Sequence, residues 1–216
     1  MTKVKVIIVG NGQVGKTCLI CQFLDSNFQL EYQMTTAPDK SIKTVQVLNK
    51  EITFEIWDTA GQESYAAANK IFMKKADIAL IVYDITEKKS FDNLKNWYNR
   101  VVEINDKRKV IFGIAGNKSD LFENQVISTE EGKQFSKTIG ASFFETSAKD
   151  HYSVNKAFMG LAEEYVRQNL EKQKEEEKIG IEGKNGEEDK KENIIVLDQS
   201  RHTDTVINQA KKKKKC

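Results

Sequence analysis

The chain has 216 residues, of which 39% are hydrophobic, and its 34 basic and 32 acidic residues leave a net charge of only +2. This length allows one domain with a full hydrophobic core, and the nearly neutral balance gives no argument for a nucleic-acid partner. No apolar run approaches the roughly 20 residues that a membrane-spanning helix needs, and three cysteines without a leader pattern predict a reducing, cytosolic environment.

The first apolar run, 4–9, predicts a buried strand and leads into a glycine-rich motif of the form G-x-x-x-x-G-K-T. The motif consists of Gly10, Asn11, Gly12, Gln13, Val14, Gly15, Lys16 and Thr17. A helix is predicted after it, over 17–24, and this strand–loop–helix context is typical of a phosphate-binding loop. Backbone N–H groups and the helix N-terminus would face the anion. We expect Lys16 to reach the β- and γ-phosphates and the Thr17 hydroxyl to bind Mg²⁺.

Two cysteines, Cys18 and Cys21, lie on this predicted helix with the spacing C-x-x-C. The only histidines of the chain are His151 and His202, so no second pair completes a zinc site. We therefore interpret the pair as packing residues rather than as a metal or redox site. Cys18 is also included in the predicted nucleotide site.

The remaining strands are predicted from apolar patterns. The runs 42–47 and 52–57 alternate and are joined at Asn49-Lys50, which predicts a β-hairpin. The continuous apolar runs 78–83 and 110–115 predict buried parallel strands, and 142–145 predicts the last strand. The polar segment 25–40 contains the only proline, Pro38, and its length predicts a functional loop.

Helices alternate with these strands. They are predicted over 90–103, 129–138 and 154–168, and residues 64–75 predict a loop that passes into a short helix. The alternation predicts an α/β three-layer sandwich of the P-loop NTPase type. Its six-stranded sheet would be mostly parallel, with one antiparallel edge strand and helices on both faces. Gly10, Asp58, Asn117 and Ser147 each follow a predicted strand, so they are expected to converge at the carboxyl edge of the sheet.

Two further motifs follow predicted strands, Asn117-Lys118-Ser119-Asp120 and Glu145-Thr146-Ser147-Ala148-Lys149. A third, Asp58-Thr59-Ala60-Gly61-Gln62, follows the second strand of the hairpin. With these motifs in this order and spacing, the chain resembles the small Ras-like GTPases over roughly residues 3–168.

The resemblance implies a guanine pocket. In it the Asp120 carboxylate accepts from guanine N1–H and the 2-amino group, a pair of donors that adenine lacks. The other implied base-pocket residues are Asn117 between the loops, Lys118 and Phe28 on the faces of the base, Ala148 at guanine O6, and Ser147 and Lys149 in support. GTP or GDP with Mg²⁺ is therefore the expected ligand.

The resemblance also implies the hydrolytic residues. Asp58 would hold Mg²⁺ through water, Gly61 would sense the γ-phosphate, and Gln62 would orient the attacking water. Thr35 would complete the Mg²⁺ shell in the triphosphate state, with Thr36 beside it as an alternative.

No arginine is obvious in the loops near the phosphates, so intrinsic hydrolysis is expected to be slow and to be accelerated by an activating protein that supplies one. Gly12 leaves room for such a side chain, whereas Gln13 is bulkier.

Within the superfamily the chain is most similar to Rab proteins, which regulate membrane traffic. The stretches 54–63, 83–86 and 115–118 are closest to the early-endosomal Rabs. Lys40, Ser64 and the stretch 72–75 depart from the residues usual in Rabs, so the partner-facing surface is unusual. The resemblance implies a monomeric switch on the cytosolic face of endomembranes, cycling with the cytosol, with an exchange factor, an activating protein and effectors as partners.

The composition changes near residue 171, so we predict a GTPase domain over 1–170 and a disordered tail over 171–216. The tail ends in five lysines, 211–215, and Cys216. The resemblance implies prenylation of Cys216 and a prenylation escort or dissociation inhibitor as partner, and the lysines would give the second membrane signal. A solvated tail or a nuclear signal is the alternative for the lysines. The aliphatic cluster 194–197 is either a docking motif or a cluster without a role.

Three hypotheses for function remain at this point. In the first, GTP hydrolysis switches two loops, about 29–40 and 59–75, between ordered and relaxed forms. In the second, the chain is a scaffold that holds GTP with little or no hydrolysis, or a signalling GTPase of the Ras or Rho type. The third, an ATP-using P-loop kinase, lacks a motif for a second substrate.

Overall fold

The computed structural model describes residues 2–24, 39–58, 66–106 and 108–171. Six strands occur in these ranges: β1 (Thr2–Val9), β2 (Asp39–Val47), β3 (Lys50–Asp58), β4 (Ile78–Asp84), β5 (Ile111–Asn117) and β6 (Ser142–Glu145). The helices are α1 (Lys16–Phe23), α2 (Ala66–Met73), α3 (Lys88–Asp92), α4 (Leu94–Ile104), α5 (Thr129–Thr138) and α6 (151–171), with a 3₁₀ segment at Ser119–Asn124.

The strands form one sheet in the order β2-β3-β1-β4-β5-β6. β2 pairs with β3 in the antiparallel sense, and every other pairing is parallel. The predicted six-stranded α/β fold with a single antiparallel edge strand is confirmed.

Three local predictions differ from the structure. The segment 25–40 was predicted as a loop, but its last two residues, Asp39 and Lys40, already belong to β2. The hairpin turn is formed by Leu48 and Asn49, with φ of 48° and 61°, and Lys50 already belongs to β3. Asparagine tolerates this left-handed conformation, and the turn lies one residue earlier than predicted. The helix predicted over 90–103 is two helices, α3 and α4, separated at Asn93. The apolar periodicity continues across Asn93, which is why the sequence did not reveal the break.

The two faces of the sheet carry separate layers of core. On one face, Phe23 of α1 stacks on Phe158 of α6 with ring centroids 4.0 Å apart, and Phe23 also contacts Phe54 of β3. On the other face, Trp97 and Val101 of α4 belong to the same buried cluster as the strand residues. Because β4 is buried along its whole length, its carboxyl end is held firmly in the middle of the sheet.

Two compact units divide the chain, Met1–Arg167 and Gln168–Cys216. The sheet belongs to the first unit, and of the second only residues 168–171, which are helical, are described. No helix within the described ranges is both long enough and apolar enough to span a bilayer. The predicted boundary at residue 170 and the predicted disorder of the tail lie in or next to residues that the structure does not describe.

Candidate functional site

The loop between β1 and α1 has a backbone that requires glycine at two positions. Gly10 has φ of 147° and Gly15 has φ of 93°. A Cβ atom on Gly10 would lie 2.2 Å from the Val82 carbonyl oxygen, and one on Gly15 would lie 2.4 Å from Asn117 Nδ2. The loop is therefore pressed against the ends of β4 and β5, as a backbone cradle for an anion requires. Gln13 is also left-handed, with φ of 64°.

The side chain of Lys16 folds back across this loop. Its Nζ donates to the carbonyl oxygens of Gly10 at 3.0 Å and Asn11 at 2.6 Å. Lys16 is only 6% exposed, and this burial lowers the pKa of the ammonium to about 8, although the nearby Asp58 carboxylate opposes the shift. The loop thus holds a buried cation at its centre, where an anionic group would become a further partner of the ammonium.

Thr17, at the start of α1, meets Asp58, at the end of β3. The Thr17 hydroxyl donates to Asp58 Oδ2 at 2.6 Å, and Asp58 is 6% exposed. The structure brings together a hydroxyl and a carboxylate that are 41 residues apart in the sequence. Two oxygen donors of this kind, beside a phosphate-type loop, suit a hard cation such as Mg²⁺.

Asn117, the last residue of β5, connects the phosphate-type loop to the loop after β6. Its Nδ2 donates to the Val14 carbonyl oxygen at 2.7 Å, and its Oδ1 accepts from Thr146 Oγ1 at 3.2 Å. Asn117 is 1% exposed. Both ends of one buried amide are used, so the relative position of the two loops is fixed.

Asp120 and the loop after β6 form a second charged cluster. Ser147 Oγ donates to Asp120 Oδ1 at 2.6 Å, and Lys149 Nζ lies 2.7 Å from Asp120 Oδ2. Burial alone would raise the pKa of Asp120, but the hydrogen bonds from Lys149 and Ser147 outweigh it and lower the pKa. Asp120 is therefore an ionised acceptor near neutral pH.

Lys118 has a partner that the sequence analysis did not assign. Its backbone is left-handed, with φ of 65°, and its Nζ lies 2.5 Å from Asp84 Oδ2 at the end of β4. Asp84 Oδ1 accepts from the backbone N–H and the hydroxyl of Thr86, at 2.8 Å and 2.7 Å. Asp84 lies opposite Asn117 in the β4–β5 pairing, next to Lys118. In the sequence, an acidic residue at the end of an apolar strand was the signal that could have identified Asp84 as part of the site.

A cavity of about 330 Å³ opens between these loops. It is lined by Gln13, Gly15, Cys18, Asn117, Lys118, Asp120, Leu121, Ser147, Ala148 and Lys149. Every lining residue except Leu121 was predicted from the sequence to belong to the site. Leu121 follows the N-K-x-D motif directly, and an apolar residue in that position gives no signal in the sequence that distinguishes it from packing.

The two cysteines of α1 are free and half-buried. Burial raises the pKa of both thiols, with the Asp58 carboxylate contributing at each. They are therefore neutral thiols near pH 7, and within the described ranges there is no cluster of three metal-ligating side chains.

The structure also places Asn11 in a contact that was not predicted. Its Oδ1 accepts from Asn93 Nδ2 at 2.7 Å and from Trp97 Nε1 at 2.9 Å. Phe28, Thr35, Gly61, Gln62 and Cys216 lie outside the described residues. Gly12 lies within the loop, beside Asn11.

Comparison with known proteins decides the family. The model of the Ras family matches residues 5–167. The chain is 41% identical over 160 residues to Ras-related protein RIC1 of Oryza sativa subsp. japonica, covering 74% of this chain and 79% of the relative. It is 36% identical over 168 residues to Ras-related protein Rab-8B of Dictyostelium discoideum, covering 78% and 82%. It is 34% identical over 172 residues to GTP-binding protein ypt2 of Schizosaccharomyces pombe, covering 80% and 86%.

The chain belongs to the Ras family of small GTPases, in its Rab branch. The Rab resemblance drawn from the sequence motifs is confirmed, as is the GTPase activity that it implied. As a Rab GTPase the chain binds guanine nucleotide, works with regulators and serves membrane traffic on endomembranes. The alternatives of a scaffold without hydrolysis and of a Ras- or Rho-type signalling protein are not favoured.

Proposed function

We propose that this Rab GTPase binds the guanine base in the 330 Å³ cavity and the phosphates in the loop 10–17. The single observation that carries the proposal is the cavity itself, since one wall is the phosphate-type loop and the other carries the ionised Asp120. A base and its phosphates, joined by a ribose, would span both walls. Lys118 and, outside the described residues, Phe28 would cover the faces of the base.

Guanine selectivity is assigned to Asp120. Guanine N1–H and its 2-amino group are two donors that match the two oxygens of a carboxylate. Adenine offers no donor at these positions and would leave the carboxylate without its partners, a mismatch of a kind that disfavours ligands by about 10⁴-fold. Ser147 and Lys149 keep Asp120 ionised and oriented. The Ala148 N–H is assigned to guanine O6.

Thr17 and Asp58 are proposed to hold Mg²⁺ beside the phosphates, with Thr35 added in the triphosphate state. The fit is chemical, because a hydroxyl and a carboxylate are oxygen donors and lie 2.6 Å apart beside the anion cradle. A bound Mg²⁺ would neutralise charge on the β- and γ-phosphates.

For hydrolysis we propose attack of water on the γ-phosphoryl group, with cleavage of its bond to the β-phosphate oxygen and release of GDP and inorganic phosphate. Lys16 would neutralise the charge that builds up on the phosphate oxygens. Gln62 would orient the water, and the Gly61 N–H would contact the γ-phosphate. An activating protein would supply an arginine, for which Gly12 leaves room while Gln13 narrows the approach.

The remaining proposals concern the cell. We propose a GTPase domain over 1–170 and a hypervariable tail over 171–216 that anchors the protein through a prenylated Cys216. The five lysines 211–215 would add about 1 kcal/mol each near anionic lipid. The protein would act as a monomer, with effectors, an exchange factor and an escort or dissociation inhibitor as partners, on early endosomes in particular.

Replacing Cys216 with serine should move the tagged protein into the soluble fraction, and unchanged membrane association would refute the anchor.

The base pocket is tested by Asp120→Asn. We expect the variant to lose affinity for GDP and to gain affinity for xanthosine diphosphate, because xanthine carries a carbonyl where guanine has its 2-amino group. Asp92, which is exposed on α3, gives the matched control Asp92→Asn with unchanged preference. Competition against a fluorescent GDP analogue measures both affinities, and an Asp120→Asn variant that still prefers GDP would place the base elsewhere.

A further inference from the structure

The side chain of Asn11 is held at the N-terminal end of α4, and Asn11 is not among the residues that line the base cavity. Asn11 Oδ1 accepts two hydrogen bonds, from Asn93 Nδ2 at 2.7 Å and from Trp97 Nε1 at 2.9 Å. The donors are more than 80 residues away in the sequence, so the contact depends on the fold and not on local structure.

Both donors also make contacts with other residues. Asn96 Nδ2 donates to Asn93 Oδ1 at 2.6 Å, which turns the Asn93 amide so that its own Nδ2 is directed at Asn11. Trp97 is 2% exposed in the core, and Arg100 lies over its ring at 5.0 Å. The two donors, each with a contact of its own, therefore converge on a single acceptor oxygen.

Asn11 also holds the central cation of the loop. Its backbone carbonyl oxygen accepts from Lys16 Nζ at 2.6 Å. One residue thus contacts α4 through its side chain and the phosphate-binding lysine through its backbone. If the side chain were released, the Asn11 peptide would be free to turn, and the carbonyl that positions Lys16 would turn with it.

We propose that Asn11 is a positioning residue that lets α4 pre-organise the phosphate loop and so sets the rate at which guanine nucleotide is released. The inference rests on the proposed nucleotide site. A loop that is already in its binding form loses less conformational freedom when nucleotide binds. Without the hydrogen bonds from Asn93 and Trp97 to Asn11, the free loop can relax, and the bound nucleotide is then held less firmly.

The test measures release of a fluorescent GDP analogue from Asn11→Ala, Trp97→Phe and the double variant. Each single change should accelerate release by about tenfold, as expected for loss of partly buried hydrogen bonds between side chains. The decisive result is the double variant: if both residues act through one contact, its release is about as fast as that of the faster single variant. Multiplied effects, or an unchanged rate in Asn11→Ala, would overturn the proposal.

Three further variants serve as a conservative replacement, a surface control and a substitute for Trp97→Phe. Asn11→Asp keeps an acceptor for both donors and should release nucleotide more slowly than Asn11→Ala. Asn124, exposed at the end of the 3₁₀ segment, gives Asn124→Ala as a control with the wild-type rate. If Trp97→Phe does not fold, the same cycle is made with Asn93→Ala, which leaves the core intact, and the same two outcomes decide.

A spectroscopic readout separates this role from a loss of stability. The chain has two tryptophans, so Trp97→Phe assigns the indole N–H signal of Trp97 in a ¹⁵N–¹H NMR spectrum. That signal should shift in Asn11→Ala and stay in place in Asn124→Ala. An unmoved signal in Asn11→Ala would show that the contact is absent in solution. Failure of the base pocket is distinguishable, because it would alter the Asp120→Asn result and not this one.

Discussion

Asn117 Nδ2 lies 2.7 Å from the Val14 carbonyl oxygen, a hydrogen bond that joins the N-K-x-D loop to the phosphate loop across 103 residues. The amide is buried and its oxygen is engaged by Thr146, so no water competes for either end. The proposed pocket for the base and the proposed cradle for the phosphates are therefore connected through one buried side chain.

Asn117→Asp removes the donor to Val14 and keeps the acceptor for Thr146. A buried carbonyl without its partner costs about 1–3 kcal/mol, so we expect GDP release to accelerate by roughly ten- to a hundredfold. Release of a fluorescent GDP analogue measures the change. A variant that releases GDP at the wild-type rate would show that this hydrogen bond does not couple the two parts of the site.

Gly15→Ala should abolish tight nucleotide binding, since the new Cβ would lie 2.4 Å from Asn117 Nδ2 on a left-handed backbone. Gly140→Ala is the matched control, because Gly140 also has a positive φ, 65°, but has nothing within 4 Å of the added Cβ. We expect Gly140→Ala to cost about 1 kcal/mol of stability. It should leave GDP affinity unchanged, as measured by equilibrium titration, and equal affinities in the two variants would refute the close-packed loop.

The affinity for GDP should fall as the pH rises past 8. Burial lowers the pKa of Lys16 to about 8 in the loop, and a bound phosphate would raise the pKa again because it stabilises the charged ammonium. The protonated form binds better, so affinity should weaken by about tenfold between pH 7 and pH 9. Lys16→Met should bind GDP weakly at every pH and should not show this pH dependence. Ionisation of the guanine base affects both proteins equally, so it cancels when their GDP affinities are compared.

For folding of the nucleotide-free protein the sign is opposite. The pKa of Lys16 lies near 8 in the folded chain against 10.5 in a model peptide, so the unfolded state binds the extra proton between these values. The contribution of Lys16 to the free energy of unfolding should therefore rise with pH from about 8 to 10.5. Urea denaturation of wild type and Lys16→Met at pH 8 and 10 measures this contribution as the difference between their free energies of unfolding. If wild type became less stable relative to Lys16→Met as the pH rises, the lowered pKa of Lys16 would be contradicted.

Asp84→Asn removes the charge that lies 2.5 Å from Lys118 Nζ. Lys118, which lines the proposed base cavity, would then lose this contact, and GDP release should accelerate by about three- to tenfold. The exposed pair of Lys88 and Asp92, 3.4 Å apart, supplies the control Asp92→Asn. That change should alter stability by less than about 0.5 kcal/mol and leave release unaffected. Equal release rates in both variants would remove Asp84 from the site.

The sequence predicted the parts of this molecule that repeat a local pattern. Continuous apolar runs identified β4 and β5, alternation identified the hairpin, and the residues after each strand identified the edge of the sheet where the site lies. Nine of the ten residues that line the cavity were predicted, and eight of these nine belong to contiguous motifs that can be recognised in the sequence; the ninth, Cys18, follows the first motif directly.

The contacts that were missed are single side chains far apart in the chain. Asn11 meets Trp97 across 86 residues, and Lys118 meets Asp84 across the β4–β5 register. Nothing near Asn11 in the sequence indicates whether its side-chain amide is hydrogen-bonded within the protein or solvated. The break at Asn93 was hidden for a related reason, since Phe91, Leu94 and Trp97 continue the helical spacing through it.

We propose that loops from four strand ends together bind a guanine nucleotide. The decisive experiment is competition of GDP and ADP against a fluorescent GDP analogue on the purified chain, with magnesium present. We expect ADP to compete only at a concentration higher than that of GDP by a factor on the order of 10⁴. Displacement by both at similar concentrations, or no binding of the GDP analogue at all, would contradict it.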